Sequence, residues 1–191
     1  MTVESYENIL KESGAVLTGH FLLTSGLHSD TYVEKFRLLQ FPLLTEKLCK
    51  AIAENFATTA PHVVVGAATG GIILSHVVAR FLSCRSIFAE REETSLLFRR
   101  GFKIEEGERV LIVDDVVTTG GSIFEMIDLV VKQGGIIVGI GVLIDRSGGK
   151  VNFGFPYFPL VKLDIPTFKP DACPKCLQGI PLTSRGRTGK K

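Results

Sequence analysis

At 191 residues the chain fits one domain with room for a sizeable core. Apolar residues make up 45% and charged residues 22%, ordinary for a globular protein, and a net charge of +2 is too small for a nucleic-acid binder. No apolar run approaches the ~18 residues of a membrane span, and the acid-bearing start MTVESYENILKESG does not read as a signal peptide. A cytoplasmic protein without nucleic-acid or membrane partners is expected. The four cysteines, Cys49, Cys84, Cys173 and Cys176, fit reduced thiols.

In chain order, Tyr6, Ile9 and Leu10 recur at helical spacing in an opening helix that Gly14 can end. Residues 19–36, GHFLLTSGLHSDTYVEKF, read as short strands around a polar turn. Residues 42–57 are helical, with Leu44, Leu48, Ile52 and Phe56 on one face. The pattern then alternates: a strand at 63–65, a Gly/Ala/Thr loop at 66–71, a helix at 72–82, a strand at 85–90 and a short one at 96–98. A strand at 110–113 leads through DDVVTTGGS into a helix at 122–133, and a last strand spans 136–144. Continuously apolar strands separated by helices predict an α/β fold, a parallel sheet flanked by helices. Beyond Ser147, aromatics and prolines without helical period predict irregular β structure at the edge. Residues 183–191 read as a solvated basic tail, with Arg185, Arg187, Lys190 and Lys191.

The segment VLIVDDVVTTGGS, residues 110–122, carries chemistry. In an open parallel sheet, ligands bind beyond the carboxyl ends of the strands. Asp114 and Asp115 can accept hydrogen bonds from two ribose hydroxyls or hold Mg²⁺ indirectly. Val116 and Val117 are spacers, and Thr118, Thr119 and Ser122 offer hydroxyls. Gly120 and Gly121 let backbone N–H groups approach a phosphate, and the next helix points its positive end at the same anion. Taken singly, an acidic pair is a turn or helix cap and TTGGS a helix start. Joined behind one apolar strand, they suit a sugar phosphate. No GxxxxGK[ST] competes, and the GxG at Gly139 and Gly141 lies inside an apolar strand.

This segment resembles the diphosphoribosyl-binding motif of the type I phosphoribosyltransferases. The resemblance implies their fold, a parallel sheet with a small N-terminal hood, here from about residue 14 to 40 plus a C-terminal segment of a single domain 1–191. It also implies Mg²⁺ held mainly through the substrate, with no protein ligand assigned. Residues 19–36 are similar to the hood segment of orotate phosphoribosyltransferases, where Phe-x-Leu-x-Ser-Gly-x-x-Ser precedes an aromatic. A β-hairpin with a Ser-Gly turn is the structural alternative. Residues 66–71, GAATGG, resemble the family's diphosphate loop, through Thr69, Gly70 and Gly71. Arg146, after the last strand, is matched to an arginine that binds orotate, and Thr118 lies where the loop also touches it; a surface ion pair is the alternative for Arg146.

The implied reaction joins orotate to phosphoribosyl diphosphate, giving orotidine 5′-monophosphate and diphosphate in pyrimidine (UMP) biosynthesis, in a homodimer. The alternatives are a purine phosphoribosyltransferase and a non-catalytic regulator that only binds phosphoribosyl diphosphate. The chain departs from the family at its mobile catalytic loop: FAEREETSLLFRRGFKIEEGERV has no histidine. Arg91 is its best match to the loop's basic pair, whereas Arg99 and Arg100 read as a solvated charged hairpin. Cys173-Pro-Lys-Cys176 supplies only two of the four ligands that structural zinc needs, so it reads as a turn with reduced thiols or, if two tails of a dimer pool their pairs, as a metal site. His20, His28, His62 and His76 show no ligand spacing, so none is assigned to metal; His28 is read as approaching substrate or lying at the surface.

Overall fold

The structure, a computed structural model, describes residues 3–23, 25–93 and 95–184. The basic side chains of the tail therefore lie outside the described residues. The chain opens with α1 (Val3–Glu12), a hairpin of β1 (Val16–Leu22) and β2 (His28–Val33), and the short α2 (Lys35–Leu39). Then come α3 (Pro42–Phe56), β3 (Val63–Ala67), α4 (Gly70–Leu82), β4 (Arg85–Glu92) and β5 (Ser95–Phe98). The third stretch holds β6 (Arg109–Val117), α5 (Gly121–Lys132), β7 (Ile136–Asp145), β8 (Tyr157–Lys162), α6 (Pro174–Leu177) and β9 (Thr183–Ser184).

Six strands form the main sheet in the order β5-β4-β3-β6-β7-β8, parallel throughout except for the antiparallel β4–β5 hairpin. From β3 the chain moves outward to β4, then returns to the other side of β3 with β6. That reversal opens a crevice beyond the carboxyl ends of β3 and β6, where open α/β sheets take ligands. The expected parallel sheet flanked by helices is present. Alternation along β6 feeds two cores: Leu111 and Val113 pack with α3 and α4, Val110 and Ile112 with α5. All four are fully buried, which is why the strand is apolar on both faces. Gly139 and Gly141 on β7 serve packing: a Cβ there would meet Phe56 at 2.2 Å and Ile52 at 2.5 Å.

Two expectations need correction. The strand read at 110–113 continues to Val117, so Asp114 and Asp115 sit within β6 and not in the loop after it. Pairing with β7, which runs on to Val117 opposite Asp145, holds this extra length. The stretch after Ser147 contains a regular strand, β8, parallel to β7. Its Pro159 is tolerated because an edge strand leaves one side unpaired.

The second sheet is small, ordered β2-β1-β9. Leu23 N–H donates to Leu27 O and Gly26 N–H to Leu23 O, closing the hairpin turn, where Gly26 has φ +79°. Residues 19–36 thus contain the β-hairpin, and the C-terminal Thr183 and Ser184 pair in parallel with Phe21 and Leu22.

Candidate active site

A cleft of about 230 Å³ opens at the carboxyl end of β6. Asp114, Val116, Val117, Thr118, Thr119, Gly120, Gly121 and Ser122 line it, together with Ile123 and Glu125 of α5. The hydroxyl-bearing Thr118, Thr119 and Ser122 are exposed, whereas Gly120 is buried. Gly120 adopts φ +80° as the residue preceding α5, and a Cβ there would come within 2.9 Å of Phe153 and Val151. Only glycine satisfies both demands. The loop therefore hugs the protein on one side and presents backbone and hydroxyls on the other. The first-turn N–H groups of α5 lack intrahelical acceptors and face the same cleft, an arrangement suited to a phosphate.

The two acids have different surroundings. Asp114 is 8% exposed and lines the cleft, and its Oδ1 accepts the Asp115 N–H at 2.9 Å. Asp115, 3% exposed, is not among the cleft-lining residues and pairs with Lys35 Nζ at 2.6 Å. Burial, and then the Asp115 charge beside it, push the Asp114 carboxyl up to about 7. Burial also raises Asp115, while the Lys35 ammonium opposes it. Lys35, at the start of α2, was not singled out by sequence; its partner lies far along the chain, so no local pattern announces it.

The 66–71 loop joins this site through close backbone approach. A Cβ on Gly70 would fall 1.9 Å from Asp115 Oδ2, and one on Gly66 would fall 2.1 Å from Gly71 O. Thr69 precedes α4, with Gly70 and Gly71 as the buried first residues of that helix. The small residues let the end of β3 and the start of α4 lie directly against the acidic pair.

Arg146 follows β7 and donates its backbone N–H to Val117 O at 2.7 Å, which sets it beside Thr118. Its side chain is half-buried, Nε has no hydrogen-bond partner among the described residues, and burial pulls its guanidinium down, opposed by Tyr32. A partly desolvated arginine with an unmatched donor is suited to an incoming carboxylate. Tyr32, from β2, brings the small sheet to this point and packs on Phe21 at 5.6 Å between ring centroids.

Arg91 lies on β4 and pairs with Glu125 at 2.9 Å, at the margin of the cleft. Glu125 is a second residue that sequence reasoning missed, because its role arises only where α5 meets the β4–β5 hairpin. Arg99 pairs with Glu92 at 3.1 Å and Arg100 with Glu90 at 2.9 Å, and all four side chains are substantially exposed except that of Glu90. These two arginines belong to a charged hairpin, as expected. His28 does not follow its reading: it is 5% exposed and packs against His20 and Cys176.

Residues 37–164 match the phosphoribosyl transferase domain family. The chain belongs to that family. Among phosphoribosyltransferases it is 50% identical to the orotate phosphoribosyltransferase of Caldicellulosiruptor saccharolyticus over 186 residues, covering 97% of each chain. It is 48% identical to the orotate phosphoribosyltransferase of Thermotoga maritima, covering 97% of this chain and 99% of that one. The crystal structure of orotate phosphoribosyltransferase from Aeropyrum pernix superposes with a TM-score of 0.71 at 30% identity, over 82% of this chain and 92% of the other. An adenine phosphoribosyltransferase from Rhodothermus marinus reaches a TM-score of 0.66 at 24% identity over 84% of this chain and 99% of that one, a likeness of fold. No helix among the described residues is long and apolar enough to cross a membrane.

Proposed function

We propose that the chain is an orotate phosphoribosyltransferase: it moves the 5-phosphoribosyl group from phosphoribosyl diphosphate to a ring nitrogen of orotate, releasing diphosphate. The observation that carries this is the meeting of a phosphate-type cleft with an underpartnered arginine at adjoining strand ends, Val117 and Arg146 being bonded at 2.7 Å. The near-full-length identity to orotate enzymes supports the pyrimidine over a purine.

In this reading Asp114 accepts from a ribose hydroxyl in the cleft, Asp115 accepts from a second once its Lys35 partner yields, and the Thr118–Thr119–Gly120–Gly121–Ser122 loop with the α5 N-terminus holds the 5′-phosphate. Thr69, Gly70 and Gly71 offer backbone donors to the diphosphate. Arg146 and Thr118 hold the orotate carboxylate, fixing the ring so that its nitrogen faces C1. Asp114, Thr118, Thr119 and Ser122 give the cleft an oxygen-rich lining, which fits a hard divalent cation carried in with the substrate. Mg²⁺, when bound with the donor, neutralises charge on the leaving diphosphate. The protein's contribution is positioning and electrostatics.

Arg91 at the cleft margin is the candidate contributor from the β4–β5 hairpin, released from Glu125 when diphosphate is present. We also propose a cytoplasmic homodimer; the exposed Phe36, Phe41 and Leu43 around the start of α3 offer apolar surface for a second copy. Diphosphate release measured with orotate, adenine, xanthine and uracil tests the reading. Turnover with orotate alone is expected; turnover with a purine and none with orotate would replace it. Donor binding without release for any base would favour a regulator, the alternative to which the ion-paired Arg91, Arg99 and Arg100 lend support.

A further inference from the structure

Away from the cleft, four side chains from opposite ends of the chain converge. His20, His28, Cys173 and Cys176 each offer one ligand atom, and the four atoms lie within 4.8 Å of one another. His20 and His28 are 3% and 5% exposed and Cys173 is fully buried; only Cys176 is exposed. The hairpin explains the two histidines. Leu22 pairs with His28, and His20 lies in the register irregularity between Thr18 and Phe21, from which its ring meets that of His28 at 5.0 Å between centroids. Cys173 immediately precedes α6 and Cys176 lies within it.

Four of the six separations match a tetrahedron's edges. Zn–N bonds near 2.0–2.1 Å and Zn–S bonds near 2.3 Å require N···N of roughly 3.3 Å and N···S of roughly 3.6 Å. His20 Nε2 and His28 Nδ1 are 3.2 Å apart. Cys173 Sγ and Cys176 Sγ lie 3.4 and 3.7 Å from His20 Nε2, and Cys176 Sγ lies 3.2 Å from His28 Nδ1.

Hydrogen bonding alone does not account for this convergence. His20 Nδ1 lies 2.8 Å from Ile180 O. A carbonyl only accepts, so Nδ1 carries the proton and Nε2 presents its lone pair to the cluster. One lone pair accepts one hydrogen bond well, yet three atoms crowd this nitrogen. A cation at the centre uses all four atoms at once, and the Ile180 carbonyl then acts as the outer partner that orients a metal-binding imidazole.

We propose that His20, His28, Cys173 and Cys176 form a closed Cys₂His₂ site for Zn²⁺ that fastens the C-terminal segment to the small sheet. Thiolate and imidazole select zinc over Mg²⁺ or Ca²⁺, which prefer oxygen. Four protein ligands leave no open position, so the site is structural. The segment needs such a fastener. Among the described residues, β9 beyond the cluster pairs through two residues, and upstream the joint includes the two 2.8 Å backbone bonds between His28 and Phe168 and a 3.0 Å bond from Ser29 Oγ to Pro166 O. A metal here closes a loop spanning most of the chain, a constraint that acts strongly on the unfolded state.

The test uses full-length protein without a histidine tag, purified without chelators, and elemental analysis by mass spectrometry. About one zinc per chain is expected, falling at least about tenfold in Cys176→Ser and unchanged in Cys84→Ser, which lies outside the cluster. Cys176 is exposed, so its replacement spares the core. A second arm titrates metal-stripped wild-type protein with Co²⁺ under reducing conditions. Intense visible bands of tetrahedral cobalt with thiolate charge transfer should saturate at about one equivalent, and Zn²⁺ should displace them. Chelation should lower the melting temperature of wild type and leave that of Cys176→Ser unchanged. Absence of both zinc and the tetrahedral cobalt spectrum, or zinc content unaffected by Cys176→Ser, would overturn the proposal. So would a Cys173–Cys176 disulfide with no bound metal.

Discussion

Asp114 sits where function and stability oppose each other. Its carboxyl is 8% exposed beside a second buried acid and is held at about 7, against an ordinary value of 3.8. With a raised folded value, this group's contribution to stability is fully present below about 4 and is lost as pH rises through about 7. That displacement sets a ceiling of about 4 kcal/mol on the cost of ionising Asp114 in the fold. Asp115 beside it shares the cost, so relieving Asp114 alone is worth about 1–2 kcal/mol. Asp114→Asn keeps an oxygen for the Asp115 N–H and removes the charge. The variant should gain about 2–8 °C in melting temperature at about pH 8 and show a smaller gain at about pH 5. The same change should lower kcat/KM for phosphoribosyl diphosphate by about 100-fold or more, because it removes the carboxylate proposed to accept from a ribose hydroxyl. Melting curves at the two pH values, beside steady-state kinetics, test both halves. A variant no more stable at pH 8 than at pH 5, relative to wild type, would refute the claim that burial burdens this acid.

Arg146→Gln should raise KM for orotate by about 10- to 100-fold while changing KM for the donor by less than about threefold, if its unmatched Nε takes the orotate carboxylate as proposed; equal effects on both substrates in steady-state kinetics would contradict that role. Gly70→Ala puts a Cβ 1.9 Å from Asp115 Oδ2. It should cost about 1–3 kcal/mol in urea denaturation and weaken donor binding by calorimetry, and an unchanged midpoint would show that Asp115 can yield.

Much of this architecture is legible in the chain. The short, β-branched apolar runs that form β3, β6 and β7 point to doubly covered strands, and the Asp-Asp to Gly-Gly-Ser segment marks the cleft they carry. What sequence misplaced has physical reasons. A charged pair after an apolar run reads as the end of a strand, yet pairing with β7 carries β6 through Asp114 and Asp115 to Val117. Prolines hid β8 because their tolerance at an edge depends on knowing which strand is the edge. Lys35 and Glu125 meet their partners only across the fold, at 2.6 Å and 2.9 Å. Cys-Pro-Lys-Cys looks two ligands short because His20 and His28 meet only through an irregular hairpin, and the pair reaches the cysteines only when the C-terminal segment folds back.

The central claim is that the β6 cleft and Arg146 together make an orotate-specific phosphoribosyl transfer site. Diphosphate release by the purified protein, with phosphoribosyl diphosphate and Mg²⁺ and with orotate, adenine, xanthine or uracil offered in turn, tests it most directly. Stoichiometric diphosphate and orotidine 5′-monophosphate are expected with orotate, and background release with the other three. Release with adenine or xanthine and none with orotate would contradict it.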